Sequence, residues 1–176
     1  MLILKVAIFI VVSVGILFVS WQSLRNPRSH GFYRFFAFES ILILILLNLE
    51  YWFSDPFSAH QIVSWLLLLC SIVLAAHGFY LLHVIGRPKS GIENTTTLVK
   101  VGAYKYIRHP LYGSLLFLAW GVFFKAPSIS GGILALVATA FLIATAKIEE
   151  AENIRRFGVE YAAYMKSTKM FIPFLF

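Results

Sequence analysis

The chain has 176 residues, of which 60% are apolar and 13% charged, with a formal net charge of +7 and a mean hydropathy of +0.82. Soluble domains carry about 25% charged residues, so a soluble globular fold is excluded, and the length allows one membrane domain of several spans of roughly 20 residues each. The basic excess lies beside hydrophobic segments, where anionic headgroups attract it, which argues against nucleic acid; Cys70, the single cysteine, excludes an intramolecular disulfide or a cysteine-based metal site.

In chain order, residues 2–21 form the first apolar run. It is long, and Ser20-Trp21-Gln22 offers no small-residue cleavage site, so it reads as a span rather than a signal peptide. The connector QSLRNPRSHGFYR carries Arg25, Arg28, Arg34 and the turn-forming pair Asn26-Pro27. A second span covers 35–53. The turn SDPFSAH holds Asp55, with Glu50 just before it, and a third span covers 62–85 with His77 and His83 near its end.

The longest polar segment follows, GRPKSGIENTTTLVKVGAYKYIRHP, whose backbone groups could not be satisfied inside lipid. It belongs at an interface. Residues 111–126 and 129–147, joined by KAPSISGG, read as a helical hairpin, and 147–166 as a polar, helix-favouring tail. The expected fold is therefore all-α: a polytopic integral membrane protein of about five transmembrane helices, residues 1–176 forming one domain, with a C-terminal hairpin and a cytoplasmic tail helix.

With five spans, the basic residues of the first connector, those of the third (Arg87, Lys89, Lys100, Lys105, Arg108) and those of the tail (Lys147, Arg155, Arg156, Lys166, Lys169) fall on one side. The excess of Lys and Arg predicts an outside N-terminus and a cytoplasmic C-terminus, and only Lys125 departs from the pattern. This brings residues 83–112 and 147–164 to the same membrane face, where they form one expected site.

Pro110 suits the opening turn of a helix, so Arg108 and His109 stand where backbone N–H groups and the helix dipole favour an anion. In KIEEAENIRRFGVEYAAYMK, Glu149 and Asn153 are four residues apart, and Glu149 with Glu150 offers negative charge to a cation. Phe157, Tyr161 and Tyr164 recur at helical spacing on another stripe. A zwitterion with an additional positive centre matches such a pocket, and tyrosine faces add cation–π attraction. Each residue also has an ordinary reading: Tyr104, Lys105, Tyr106 and Arg108 as interfacial anchors, Phe157, Tyr161 and Tyr164 as packing, the glutamates as a solvated helix end. Of the two histidines of the third span, His83 is the stronger functional candidate.

The run LVKVGAYKYIRHPLYG, followed by EEAENIRRFGVEYAAY, resembles the isoprenylcysteine carboxyl methyltransferases and their phospholipid N-methyltransferase relatives. The likeness covers Thr96 to Tyr164, while the first three spans agree only in being hydrophobic. It implies an integral membrane enzyme using S-adenosylmethionine, released as S-adenosylhomocysteine, with no metal. It also implies that Thr96, Thr97, Leu98, Val99, Tyr104, His109, Pro110, Leu111, Tyr112, Glu149 and Glu150 hold the cofactor; His83, Arg108 and Asn153 are expected cofactor-binding residues from their own positions in the chain. Glu149 and Lys147 are the expected catalytic pair. Lys147 is the cation nearest Thr145, which stands where the eukaryotic members have an arginine thought to meet the substrate carboxylate. The absence of G-x-G-x-x-G withdraws support from a Rossmann-like cofactor site.

The implied reaction is O-methylation of the carboxylate of a prenylcysteine-like lipidated acceptor. Carboxylates are ionised at neutral pH, so alignment supplies most of the rate, and the acyl or prenyl chain enters sideways from the bilayer. Two alternatives stand beside it: N-methylation of a phospholipid amine, and a small transporter or non-catalytic membrane subunit.

Overall fold

The computed structural model describes residues 1–88 and 95–175; Lys89, counted above among the basic residues of the third connector, and the rest of 89–94 lie outside the described residues. Helix accounts for 75% of the described residues, and among them extended pairing is confined to one bridge between Ile107 and Lys169. The helices are α1 (Leu2–Leu24), α2 (His30–Asn48, continued by a 3-10 turn at Leu49–Tyr51), α3 (Ala59–Val84), α4 (Pro110–Phe123), α5 (Ile129–Phe157) and α6 (Val159–Ser167). Four of them, α1, α2, α3 and α5, are long and apolar enough to cross a bilayer. The fourteen residues of α4 reach only about 21 Å, short of a hydrocarbon core of about 30 Å. The chain is a polytopic membrane protein.

Several helix boundaries differ from the sequence reading, two of them with a local cause. Helix α2 begins at His30, inside the stretch read as a polar connector. Ser29, in extended conformation, turns the chain there: its hydroxyl donates to the carbonyls of Ser23 and Asn26, and Arg28 N–H donates to Asn26 Oδ1. Helix α5 runs unbroken to Phe157, ten residues past 147, because KIEEAENIRRF consists mostly of good helix formers and holds neither Gly nor Pro. Gly158, at φ +58°, ends it. The stripe Phe157–Tyr161–Tyr164 is thereby interrupted: Phe157 closes α5, and the two tyrosines belong to α6.

The chain forms two compact units. The first comprises Met1–Leu68 and Leu116–Glu149, the second Leu69–Leu115 and Glu150–Phe176. In the first unit α1 buries only Ser20; its outward Ile, Val and Phe side chains suit lipid as a solvent. It is tied to α2 by Ser13 Oγ donating to Glu39 Oε2 at 2.6 Å, and a Cβ at Gly31 would run into the Ser23 hydroxyl, so the absence of a side chain there permits the approach. Helix α2 meets α5 through stacked rings of Phe36 and Phe141, 5.1 Å apart. The α4–α5 hairpin closes with Trp120 Nε1 donating to Thr139 Oγ1 at 3.2 Å. Fully buried alanines at 119, 135, 138 and 146 provide the small contact surfaces that membrane helices use to pack closely.

Lys125, the exception to the charge pattern, is buried in this unit. Its Nζ donates to Gln61 Oε1 at 3.0 Å and lies 3.3 Å from the Trp65 ring centroid, while Gln61 Nε2 donates to the carbonyls of Tyr51 and Lys125. The charge is consumed by a local clasp and is not offered to headgroups.

The second unit has its core around Leu81, Val99 and Tyr104. Ser71 Oγ donates to the Ser114 carbonyl at 2.8 Å, fixing α3 against α4. Gly102, at φ +59°, opens the 3-10 turn Gly102–Lys105, and a Cβ there would strike His77 and Leu81 of α3. Both the left-handed backbone and the close approach require glycine.

Candidate functional site

Within the second unit, residues 106–109 run beside 169–170. Lys169 N–H donates to the Tyr106 carbonyl at 3.0 Å, Arg108 N–H to Lys169 at 2.8 Å and His109 N–H to Met170 at 3.1 Å. This corrects one expectation. The amides of Arg108 and His109 already serve the C-terminal segment, so a ligand carboxylate would have to be met by their side chains.

Those side chains converge on one acid. Arg108 Nε donates to Glu150 Oε1 at 2.6 Å, and His109 Nε2 lies 3.3 Å from the same oxygen. The Arg108 and Glu150 side chains are 10% and 9% exposed and that of His109 3%, so the charges are compensated in a largely dehydrated place. Burial pulls the Glu150 carboxyl up, but the hydrogen bonds from His109 and Arg108 outweigh it and hold the group below the ordinary glutamate range. Glu150 lies in the charged last turns of α5, beyond its apolar stretch 129–146.

Arg108 does a second task. Its Nη1 donates to the carbonyls of Thr168, at 2.5 Å, and Met165, at 3.3 Å. These oxygens close the C-terminal end of α6, where carbonyls lack helical partners and the dipole favours a cation. Tyr164 OH donates to the Tyr104 carbonyl at 2.6 Å, joining α6 to the 3-10 turn. Burial pushes that phenol well above its usual range, so it acts as a neutral donor. The His109 ring lies against Tyr112, centroids 5.5 Å apart at 22°, and meets the Phe171 ring edge-on at 6.2 Å.

The structure thus gathers Tyr104, Arg108, His109, Tyr112 and Glu150 with Tyr164, Thr168 and Phe171. Pro110, fully buried, opens α4, and Leu111 packs near Gly78. The other expected residues are placed differently. Thr96 donates through its amide to Gly86 O at 2.8 Å and through its hydroxyl to Arg87 O at 3.0 Å, and Thr97 N–H also reaches Gly86 O, so both exposed threonines fasten the end of α3. Leu98 is half-buried and Val99 belongs to the core. His83 is exposed, its ring parallel to Phe79 at 6.3 Å. Asn153 is half-buried on α5.

Lys147 and Glu149 belong to the first unit, Lys147 exposed and Glu149 half-buried. Thr145 is fully buried, and its hydroxyl donates to Phe141 O at 2.7 Å. Two residues along a helix turn about 200°, so Lys147 emerges nearly opposite Thr145 and does not stand in for a cation at that place.

Sequence reasoning missed Thr168 and Phe171 and took Tyr164 for packing. The signal for Tyr164 was present in FGVEYAAY. For Thr168 and Phe171 nothing beyond a Thr-Lys-Met-Phe run after a polar helix was available.

A family model described as phospholipid methyltransferase matches residues 59–159, reaching upstream of the motif region to the start of α3. Methanethiol S-methyltransferase 1 of Bradyrhizobium diazoefficiens is 28% identical over 172 residues, covering 89% of this chain and 59% of its own. A methanethiol S-methyltransferase of a Pseudomonas species is 23% identical over 164 residues, covering 91% of this chain and 55% of its own, and one of Crocosphaera subtropica is 22% identical over 175 residues. The chain therefore spans less than two thirds of the length of the first two. No solved structure matches.

Proposed function

The chain belongs to the phospholipid methyltransferase family, and from that premise we propose that it is a membrane-embedded methyltransferase that uses S-adenosylmethionine. The observation carrying this reading is the buried Arg108–His109–Glu150 cluster with aromatic rings beside it. Its donor set suits the cofactor: Arg108 and His109 for a carboxylate, Glu150 for an ammonium or sulfonium, Tyr104 and Tyr112 for the nucleoside or the cation's face. When bound, the cofactor supplies an electrophilic methyl group. The chain's residues bind, orient and keep water out, and a ligand bearing both charges replaces the compensation that the cluster now provides for itself. The active site faces the cytoplasm in this reading, supported by the Lys and Arg of the connectors and tail.

For the acceptor we favour a small apolar thiol reaching the site from the bilayer. Its support is the activity for which the relatives are named, methanethiol S-methylation, and the fully buried, backbone-bonded Thr145 at the position expected to meet an acceptor carboxylate. Carboxyl methylation of a prenylcysteine-like acceptor is the second reading, supported by the Arg-His-Pro-x-Tyr-x-Gly and Glu-Glu motifs. Calorimetry with S-adenosylhomocysteine tests the cofactor, with Glu150→Gln and His109→Ala expected to weaken binding at least tenfold. Transfer of a labelled methyl group is then compared among methanethiol, a farnesylcysteine analogue and phosphatidylethanolamine. Product from the thiol is the expected result; product from either lipid alone rejects the thiol reading, and no binding of S-adenosylhomocysteine rejects the enzyme.

A further inference from the structure

Around the C-terminal end of α6 two neighbouring cavities, of about 240 and 480 Å³, share Lys105, Ser167 and Thr168 in their walls, and the first is a groove lined also by Tyr106, Lys166, Lys169 and Phe174. Lys100 lines only the second cavity. Lys100 is neutralised by Glu160 at 2.6 Å. Lys105, Lys166 and Lys169 are exposed, and among the described residues none of the three is in an ion pair. A helix C-terminus would ordinarily repel an anion through its carbonyls, but here the Met165 and Thr168 carbonyls are occupied by Arg108 from behind. The groove is left with a positive field. Its rim is apolar: the rings of Tyr106 and Phe174 are 6.3 Å apart, and Phe174 and Leu175 are 82% and 78% exposed.

We propose that this groove binds the headgroup of an anionic phospholipid, the three lysines meeting the phosphate and the Tyr106–Phe174 rim lying at headgroup level beside the glycerol and upper acyl chain. Lysine is suited to phosphate as a mobile point charge, and aromatic side chains settle at the membrane interface. The exposed apolar rim is what commits the occupant to a lipid, since a dissolved phosphate ester would gain nothing from it. The groove adjoins the Arg108–Glu150 cluster through Thr168, but neither Arg108 nor Glu150 lines it and the three lysines take no part in the cluster.

The test uses the full chain purified in detergent and titrated with phosphatidylglycerol, phosphatidylcholine or glycerol phosphate, with bound lipid counted by native mass spectrometry. The unaltered protein is expected to retain phosphatidylglycerol in preference to phosphatidylcholine. Each lysine near an anionic headgroup accounts for about fivefold in affinity, so Lys105→Gln/Lys166→Gln/Lys169→Gln should lose on the order of a hundredfold. Should that variant fail to fold, Lys166→Gln/Lys169→Gln, altered only at exposed side chains, should still lose about 25-fold. Arg25→Gln/Arg28→Gln, in the other unit, should keep the preference. Equal retention of both lipids by the unaltered protein, an unchanged preference in the lysine variants, or glycerol phosphate competing as well as the lipid would each overturn the proposal. S-adenosylhomocysteine affinity, measured in the same preparations, should be unaffected, which separates failure here from failure of the methyltransferase reading.

Discussion

Arg108 and Glu150, 42 positions apart, meet through Nε and Oε1 at 2.6 Å with both side chains about nine-tenths buried. The pair is what joins the polar segment before α4 to the last turns of α5. A buried pair of this kind says little about net stability, because desolvation offsets the attraction, but removing one partner strands the other.

Glu150→Gln should therefore destabilise the second unit by about 3 kcal/mol, since the Arg108 charge is left without its counterion. Arg108→Lys should cost less, about 1–2 kcal/mol, because an ammonium replaces the charge but not the fork that also holds Thr168 and Met165. Denaturation in detergent, followed by limited proteolysis after residue 157, checks both. Equal stability in Glu150→Gln and the unaltered protein would contradict the pairing.

The pH dependence follows from the sign of the Glu150 shift. Its carboxyl is held below the ordinary range in the folded chain, so the folded state binds fewer protons than the unfolded one. The contribution is complete above the unfolded value of about 4.3 and is lost as pH falls from there through the folded value. The stability difference between the unaltered protein and Glu150→Gln should be constant from pH 6 to 8 and shrink below about pH 4. A difference that instead grows on acidification would be inconsistent with the geometry.

Tyr164→Phe deletes the donor to the Tyr104 carbonyl and should cost about 1–2 kcal/mol, the penalty of a buried acceptor left unsatisfied. Amide exchange in the 3-10 turn Gly102–Lys105 and the residues after it should accelerate, while amides of α1 and α2 should not change.

In the first unit, Gln61→Leu leaves the Lys125 ammonium buried against Trp65 without its amide acceptor and should destabilise by about 2–4 kcal/mol. Lys125→Met, which removes the charge and keeps the length, should be milder, about 1 kcal/mol or less, and Gln61→Leu/Lys125→Met should recover part of the loss. Melting temperatures of the three variants give the coupling directly.

Gly102→Ala should be among the most damaging single substitutions at a loop position, because the new Cβ meets His77 and Leu81 and the backbone has φ +59°. A loss of about 2–3 kcal/mol is expected. Adding His77→Ala should relieve the clash but not the left-handed backbone, so recovery should be partial.

Much of the architecture was legible locally. Apolar runs of span length, a polar stretch that lipid cannot solvate and a proline at a helix start each report on the few residues around them, and they gave the all-α membrane class and the start of α4 to within a residue. Helix ends were less legible. The reading of α5 stopped where hydrophobicity stops, at 147, whereas the backbone continues until a residue with positive φ, Gly158, releases it. Polarity marks where a helix leaves lipid, and it does not mark where the hydrogen-bond ladder ends.

The chain's own letters determined its solvent, its helices and which two polar stretches carry the charged and aromatic chemistry, because these depend on transfer free energy and local propensity. Only the tertiary structure decided which charge meets which: that Glu150 takes both Arg108 and His109, that Arg108 also closes α6, that the 108–109 amides serve the C-terminal segment, and that Thr145 turns inward while Lys147 emerges nearly opposite. Such choices rest on directions of side chains about 40 to 60 positions apart along the chain, and no local pattern encodes a direction across that separation.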